Sequence, residues 1–241
     1  APLHPFEPSA PIRYASARTM DILISPSILA ADFGALREAA VSGERAGGCA
    51  IHVDIMDGHY VHNFSFGIDL IPALKKHLTI PVVAHLEIAN PDPFIPDFSA
   101  AGADMIVVQE DTCRNLPYTV EAILESGAAA GVGVNPDRDY RKLEAHPHIL
   151  REIELLIVMG VYPGFGGQRF AGTTIENIET AVALRERHGG SYDIGVDGGV
   201  NLETTPRIVA AGANYLIAGS SVYAGVVEEN MRALRSAAGL V

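Results

Sequence analysis

The chain has 241 residues, of which 48% are hydrophobic, so it can bury a sizeable core and is not expected to be disordered. Its 17 Lys and Arg against 29 Asp and Glu give a net charge of −12, which argues against nucleic acid or an anionic membrane as a partner. No apolar run reaches the roughly 18 to 20 residues that span a bilayer. Cys49 and Cys113 have no metal-type spacing, so we expect a reducing, cytoplasmic setting.

The first twenty residues differ from the rest of the chain. They contain four Pro and show no periodic apolar face. We therefore expect residues 1–20 to form a flexible N-terminal extension, and residues 21–241 to form a single domain.

From Asp21 onward, short apolar segments alternate with longer amphipathic ones. The strand candidates are 21–29, 50–58, 81–88, 103–110, 128–136, 153–161, 193–200 and 214–222. Asp32 is placed to cap a helix over 32–47, and the segment 173–190 begins with Thr and ends in a basic turn followed by Gly, as helices do. Eight β/α units predict an α/β fold of the (β/α)8 TIM-barrel type, and a doubly wound open sheet is the alternative.

Four ionisable side chains fall at the ends of predicted strands. His52 and Asp54 lie two positions apart and so share one face of the second strand, while His85 and Asp197 end the third and seventh. Two imidazoles and two carboxylates suit one divalent ion such as Zn, Fe(II), Mn or Co. Taken alone, each residue is more simply interpreted as a structural His or a turn-forming Asp. All four should nevertheless converge on one rim of the barrel, which favours the metal site.

Three consecutive loops after predicted strands are rich in glycine. They cover residues 162–168, 197–200 and 218–223, and a helix is predicted to begin at Ser220. Glycine lets backbone N–H groups approach an anion closely, and barrels of this kind often bind phosphate after their last strands. The plainer alternative is that these glycines only form turns.

Four motifs carry a resemblance to a known family. The segments "SPSILAADF", "HVDIMDGHYVHNFSFG", "GFGGQRF" and "VDGGVN" resemble those of the ribulose-phosphate 3-epimerases, in the same order. The resemblance implies a metal-dependent TIM-barrel isomerase that inverts C3 of a 2-ketose phosphate, with D-ribulose 5-phosphate the leading substrate, and a homo-oligomeric assembly. It implies that His52, Asp54, His85 and Asp197 bind the metal. Asp54 and Asp197 would also act as the acid/base pair that carries the C3 proton through an enediolate.

The same resemblance assigns further positions. Met56 and Met159 would shield the enediolate, although core filling remains an alternative for both. The implied substrate-binding residues are Ser27, His85, Gly164, Phe165, Gly166, Gly167, Gly198, Gly199, Gly219 and Ser220.

Several positions depart from the usual family pattern. Glu87 stands where a shielding Met is expected, and Gln109 where a His is usual, so both are candidate specificity residues. His62, Gly160 and Tyr162 also differ. A hexulose 6-phosphate or tetrulose phosphate is therefore an alternative substrate.

Two other function classes remain to be weighed. The related sugar- and nucleotide-phosphate decarboxylases need a Lys on the second strand, which "HVDIMDG" lacks. A non-catalytic sugar-phosphate-binding barrel would be expected to lose one of the two Asp, and both are present.

Overall fold

The computed structural model describes residues 21–240, so the extension expected over 1–20 lies outside the described residues. Eight strands alternate with helices in this part of the chain, as predicted. The strands are β1 (Leu23–Pro26), β2 (Ile51–Met56), β3 (Val82–Glu87), β4 (Met105–Gln109), β5 (Ala129–Val134), β6 (Leu155–Met159), β7 (Asp193–Asp197) and β8 (Tyr215–Ala218). The helices are α1 (Leu36–Arg45), α2 (Leu70–Lys75), α3 (Ile95–Ala100), α4 (Leu116–Glu125), α5 (Ile149–Glu152), α6 (Thr174–His188), α7 (Thr205–Ala210), α8 (Ser220–Tyr223) and α9 (Val227–Ala237).

The strands form one parallel sheet that closes into a barrel. Their order is β1-β8-β7-β6-β5-β4-β3-β2. The two end strands meet through an isolated parallel bridge between Ser27 and His52, and the Cys49 amide donates to the Ile24 carbonyl at 2.9 Å. A (β/α)8 TIM barrel is therefore confirmed, and the open doubly wound sheet is excluded.

Both faces of each strand are buried, which explains why the strands read as continuous apolar runs rather than alternating ones. Outward-facing side chains pack against the helices in the larger core cluster. Inward-facing side chains fill the barrel itself, and they include Val83, Met105, Val107, Leu155, Ile157, Tyr215 and Ile217. Glu87, Gln109 and Asp197 place polar side chains at the carboxyl ends of β3, β4 and β7, which positions the site.

The helix signals in the sequence are confirmed in part, because the side chain of Thr173 makes no capping hydrogen bond at the start of α6. Asp32 accepts a hydrogen bond from the Gly34 amide and caps a 3₁₀ turn that leads into α1. Gly189 ends α6 in the left-handed conformation, with φ of 67°. No helix within residues 21–240 combines the length and the apolar character needed to cross a membrane.

Candidate active site

The four predicted ligand residues converge inside the barrel, from the interior of β2 and β3 and from the last residue of β7. Asp54 of β2 lies beside His85 of β3 in the sheet register. His52 Nε2 lies 3.1 Å from both Asp54 Oδ1 and His85 Nδ1, and 3.4 Å from Asp197 Oδ2. His85 Nδ1 lies 3.3 Å from each of the two carboxylate oxygens. These four atoms, one from each side chain, thus form a tight cluster.

The cluster fits a divalent cation. Four ligands about 2.0 to 2.1 Å from a tetrahedral ion lie roughly 3.3 to 3.4 Å from one another. The measured separations of 3.1 to 3.4 Å are close to that spacing, and all four atoms lie within 4.8 Å of one another. The His/Asp donor set is also one that Zn and its neighbours in the transition series accept. The protein therefore carries a group of side chains that can hold a metal ion.

The two carboxylates make the cluster favourable for positive charge. Burial alone would lower the pKa of His52, but Asp54 and Asp197 outweigh it and raise that pKa to about 9. Burial likewise lowers the pKa of His85, but the hydrogen bonds that Asp197 and Asp54 accept from it outweigh burial and raise that pKa to about 10. Against burial, the two imidazoles hold the pKa of Asp54 below its usual range. The two carboxylates thus favour positive charge at this position, whether it is carried by the imidazoles or by a cation.

Each carboxylate has a second oxygen outside the cluster of ligand atoms. The Ser27 hydroxyl donates to Asp54 Oδ2 at 2.8 Å, so Ser27 orients this carboxylate. Asp197 is reached from the other side of the barrel, because β7 and β2 are separated by β8 and β1 in the ring. The two carboxylates therefore approach the cluster from different directions.

A cavity of about 260 Å³ opens beside the cluster. The two candidate acid/base residues line it, and so do most of the other predicted site residues. They are Ser27, Met56, Glu87, Met159, Gly164, Phe165, Gly166, Gly167, Gly198, Gly199, Gly219 and Ser220. The three glycine-rich loops thus face the same cavity as the carboxylates. His52 and His85 are fully buried below it.

Close packing holds the loops after β6 and β7 together. Gly198 has φ of 89°, and a Cβ at that position would lie 2.3 Å from Val161 Cγ2. Gly160 donates its amide to the Asp197 carbonyl at 2.6 Å, and its own Cβ would lie 2.2 Å from the Gly198 carbonyl oxygen. Only glycine permits this backbone approach at both positions.

Two polar side chains that the sequence interpretation missed stabilise the cavity wall. Asn63 Nδ2 donates to the Gly164 carbonyl at 2.7 Å and so joins the loop after β2 to the loop after β6. Gln168 Nε2 donates to the carbonyls of Tyr162 and Phe165 and closes the glycine-rich loop on itself. Both residues lie in the quoted family motifs, but their roles depend on contacts between loops.

The departures from the family pattern fall in different places. Glu87 and Tyr162 line the cavity, whereas His62 is exposed and does not. Burial, aided by Asp54 and Asp197 and opposed by His85, raises the pKa of Glu87 to about 8. Gln109 is fully buried and does not line the cavity; its side chain contacts His85 instead.

The closed parallel barrel, the buried His/Asp cluster and the adjoining glycine-rich loops define a sugar-phosphate type of TIM-barrel enzyme. The chain belongs to the ribulose-phosphate 3 epimerase family, whose model matches residues 23–223. It is an isomerase of the class that epimerises carbohydrates.

Named relatives cover most of the chain. It is 40% identical to the ribulose-phosphate 3-epimerase of Bacillus subtilis (strain 168), over 84% of this chain and 92% of that protein. The enzyme of the same name from Aquifex aeolicus is 36% identical over 89% and 96%. The chloroplastic ribulose-5-phosphate-3-epimerase of Arabidopsis thaliana is 38% identical over 84% and 72%.

Solved structures of lower identity share the fold alone. Orotidine 5'-phosphate decarboxylase from Pyrococcus horikoshii OT3 matches with a TM-score of 0.66 at 20% identity, covering 91% of this chain and 100% of that one. A mutant tryptophan synthase alpha-subunit from Pyrococcus furiosus matches with a TM-score of 0.67 at 16% identity, covering 91% and 98%.

Proposed function

We propose that the protein interconverts D-ribulose 5-phosphate and D-xylulose 5-phosphate by inverting C3. One observation carries the proposal: two carboxylates, on β2 and β7, meet two imidazoles at the edge of a cavity lined by glycine-rich loops. The names of the curated relatives support the same substrate.

In this proposal Asp54 and Asp197 act on opposite faces of C3, and their positions on β2 and β7 beside one cavity support that role. One carboxylate removes the C3 proton, the electron pair of that C–H bond forms the C2–C3 double bond of an enediolate, and the π pair of the C2 carbonyl moves onto its oxygen. The other carboxylic acid delivers a proton to the opposite face of C3, so the configuration inverts and the carboxylates exchange protonation states. A divalent ion held by His52, Asp54, His85 and Asp197 supplies Lewis-acid stabilisation of the developing negative charge.

The remaining residues of the cavity bind and shield the substrate in this proposal. Backbone N–H groups of the loops at 164–167, 198–199 and 219–220 hold the phosphate. Met56 and Met159 cover the reacting carbons with side chains that donate no protons. Ser27 holds Asp54 in place through its hydroxyl. The ion is Zn, Fe(II), Mn or Co, and the partner is the small sugar phosphate rather than nucleic acid, in line with the net charge of −12.

Hydrogen exchange at C3 tests the mechanism. In heavy water the metal-loaded enzyme should place deuterium at C3 of both pentulose phosphates. Asp54→Asn and Asp197→Asn should each lower kcat at least 100-fold, because each removes a proton carrier. Each variant should retain slow exchange with only one epimer, and the two variants should retain opposite ones.

Metal content must be measured in every variant, because both carboxylates also belong to the ligand set. Asp193→Asn is the matched control. Asp193 lies on β7 like Asp197, but at the amino end of the strand, where it accepts a hydrogen bond from Asn214. This control should keep full activity. Wild-type enzyme that leaves C3 unlabelled, or either site variant with normal turnover, would refute the proposal.

The position of Glu87 supports a second candidate substrate. This is a hexulose 6-phosphate or tetrulose phosphate, whose hydroxyl groups are arranged differently. Glu87 pairs with Met56 in the sheet register, one layer above Asp54 and His85, and is only 2% exposed. Its Oε2 atom is buried without a hydrogen-bond partner in the described part of the chain. A buried oxygen without a hydrogen bond destabilises the folded protein, so we infer that a hydroxyl group of the bound sugar donates to it. In this proposal Glu87 ranks ketose phosphates by the hydroxyl near the reacting carbons.

The test compares kcat/KM for tetrulose, pentulose and hexulose phosphates in the wild type, Glu87→Gln and Glu87→Met. Glu87→Met should shift the preference towards D-ribulose 5-phosphate. Glu87→Gln keeps a hydrogen-bonding group, so its substrate preference should lie between those of the wild type and Glu87→Met. An identical ranking of sugars in all three proteins would remove Glu87 as a specificity residue.

A further inference from the structure

Gln109 ends β4 inside the barrel, directly behind one of the candidate metal ligands. It is fully buried, and its amide nitrogen lies 3.0 Å from His85 Nε2. Its amide oxygen, Oε1, is buried and has no hydrogen-bond partner among the described residues. Gly133 of β5 faces the same amide, and a Cβ there would lie 2.9 Å from Gln109 Nε2. The side chain is therefore packed tightly against the ring of His85.

The two nitrogens of His85 have different tasks. Nδ1 belongs to the cluster, 3.3 Å from Asp54 Oδ1 and from Asp197 Oδ2. An imidazole that offers the lone pair of Nδ1 to a cation carries its proton on Nε2. That N–H then needs an acceptor, and the atom facing it is part of the Gln109 amide.

Rotation of the Gln109 amide by a half-turn supplies the acceptor that the Nε2–H of His85 needs. The oxygen and nitrogen of a Gln side chain have nearly the same size, so rotation by about 180° exchanges them without changing the packing. It places Oε1 against His85 Nε2, where the oxygen gains a donor, and it moves the amide nitrogen to the position that Oε1 occupies now. With the nitrogen there instead, His85 must accept at Nε2 and keep its proton on Nδ1, where a cation would bind.

We propose that Gln109 is a positioning residue of the metal centre, not a specificity residue. Its Oε1 accepts the Nε2–H of His85 and so selects the tautomer that presents Nδ1 to the cation. This role rests on the metal site of the proposed function. His52 has no equivalent support in the described chain, because its Nδ1 atom is buried without a partner. The arrangement matches the outer hydrogen bonds that orient metal-binding imidazoles in general.

Two variants separate this role from simple packing. Gln109→Met fills a similar volume but cannot accept the proton, whereas Gln109→Glu keeps an acceptor at the same place. We expect Gln109→Met to weaken Zn²⁺ binding about 10- to 100-fold, and Gln109→Glu to bind at least as tightly as the wild type. Affinity is measured by chelator competition. Thr119→Val, which removes a buried hydroxyl on α4 far from the cluster, is the control and should leave the affinity unchanged.

A measurement on the unmodified protein makes the test independent of how the variants fold. Nitrogen-15 NMR of the Zn²⁺-loaded wild type should show the His85 proton on Nε2. A proton on Nδ1, or a Gln109→Met protein with wild-type affinity, would overturn the role of Gln109. A wild type that binds none of Zn²⁺, Co²⁺, Mn²⁺ or Fe²⁺ would instead overturn the metal centre itself, and this role with it.

Discussion

At the scale of single residues, protons and a cation would compete for the same two imidazoles. His52 and His85 have pKa values raised to about 9 and about 10 by the two aspartates, against the opposing effect of burial. Below those values the carboxylates favour the charged imidazolium form of both side chains. A cation binds only neutral imidazole, so it has to displace those protons.

Metal affinity should therefore rise with pH. Between pH 6 and pH 8 up to two protons are released for each ion bound, so the Kd should fall by as much as about 100-fold per pH unit. Chelator competition at pH 6, 7 and 8, corrected for the protonation of the chelator, measures the slope. A Kd that does not change over this range would show that the imidazoles are not the ligands.

At the scale of elements, the loops after β6 and β7 define the cavity wall through backbone contacts. Gly160 follows β6 directly, and its amide donates to the carbonyl of Asp197, a candidate acid/base residue. The position left for a Cβ on Gly160 lies 2.2 Å from the Gly198 carbonyl oxygen. The loops after β6 and β7 therefore contact each other through their backbones at this point.

Gly160→Ala should therefore destabilise the protein and distort the site together. Overpacking of this kind costs about 1 to 3 kcal/mol, and the displaced loop after β7 should lower kcat/KM. Urea unfolding and steady-state kinetics measure the two effects. Gly172→Ala is the matched control, because a Cβ there meets nothing within 4 Å and its φ is not positive. Equal stability and activity in the two variants would contradict the contact.

At the scale of the whole molecule, the cluster joins strands that are far apart in the ring. Its ligands lie on β2, β3 and β7. Between β7 and β2 lie β8 and β1, and the closure between β1 and β2 depends on an isolated bridge between Ser27 and His52. A cation bound by these side chains would therefore link β2 and β3 to β7 across this junction.

Removal of the metal should lower the melting temperature. An ion present at 100 times its Kd stabilises the folded state by about 2.7 kcal/mol, which for a protein of this size corresponds to roughly 5 to 10 °C. Differential scanning calorimetry with and without a chelator measures the shift, and added Zn²⁺ should restore it. His85→Ala should show no shift, and a chelator effect that survives in this variant would place the stabilising ion elsewhere.

The barrel and most of the candidate site could be predicted from local patterns. Apolar runs with glycine stops gave eight β/α units, and the two-residue spacing of His52 and Asp54 placed both on one face of β2. These inferences succeed because side-chain direction along a strand depends only on sequence spacing. The predicted strands were longer than the observed ones, since polar residues at their ends continue into loops.

The sequence by itself determined the fold class, the family and the four side chains that form the cluster, because hydrophobic periodicity and motif order are properties of the chain alone. Only the tertiary structure decided that Gln109 lies behind His85 rather than in the cavity, that Glu87 enters the cavity with an unpartnered oxygen, and that Asn63 bonds to Gly164. These contacts join residues from different β/α units, and they depend on the register of the closed barrel and on how its interior packs. No local pattern in the chain encodes either one.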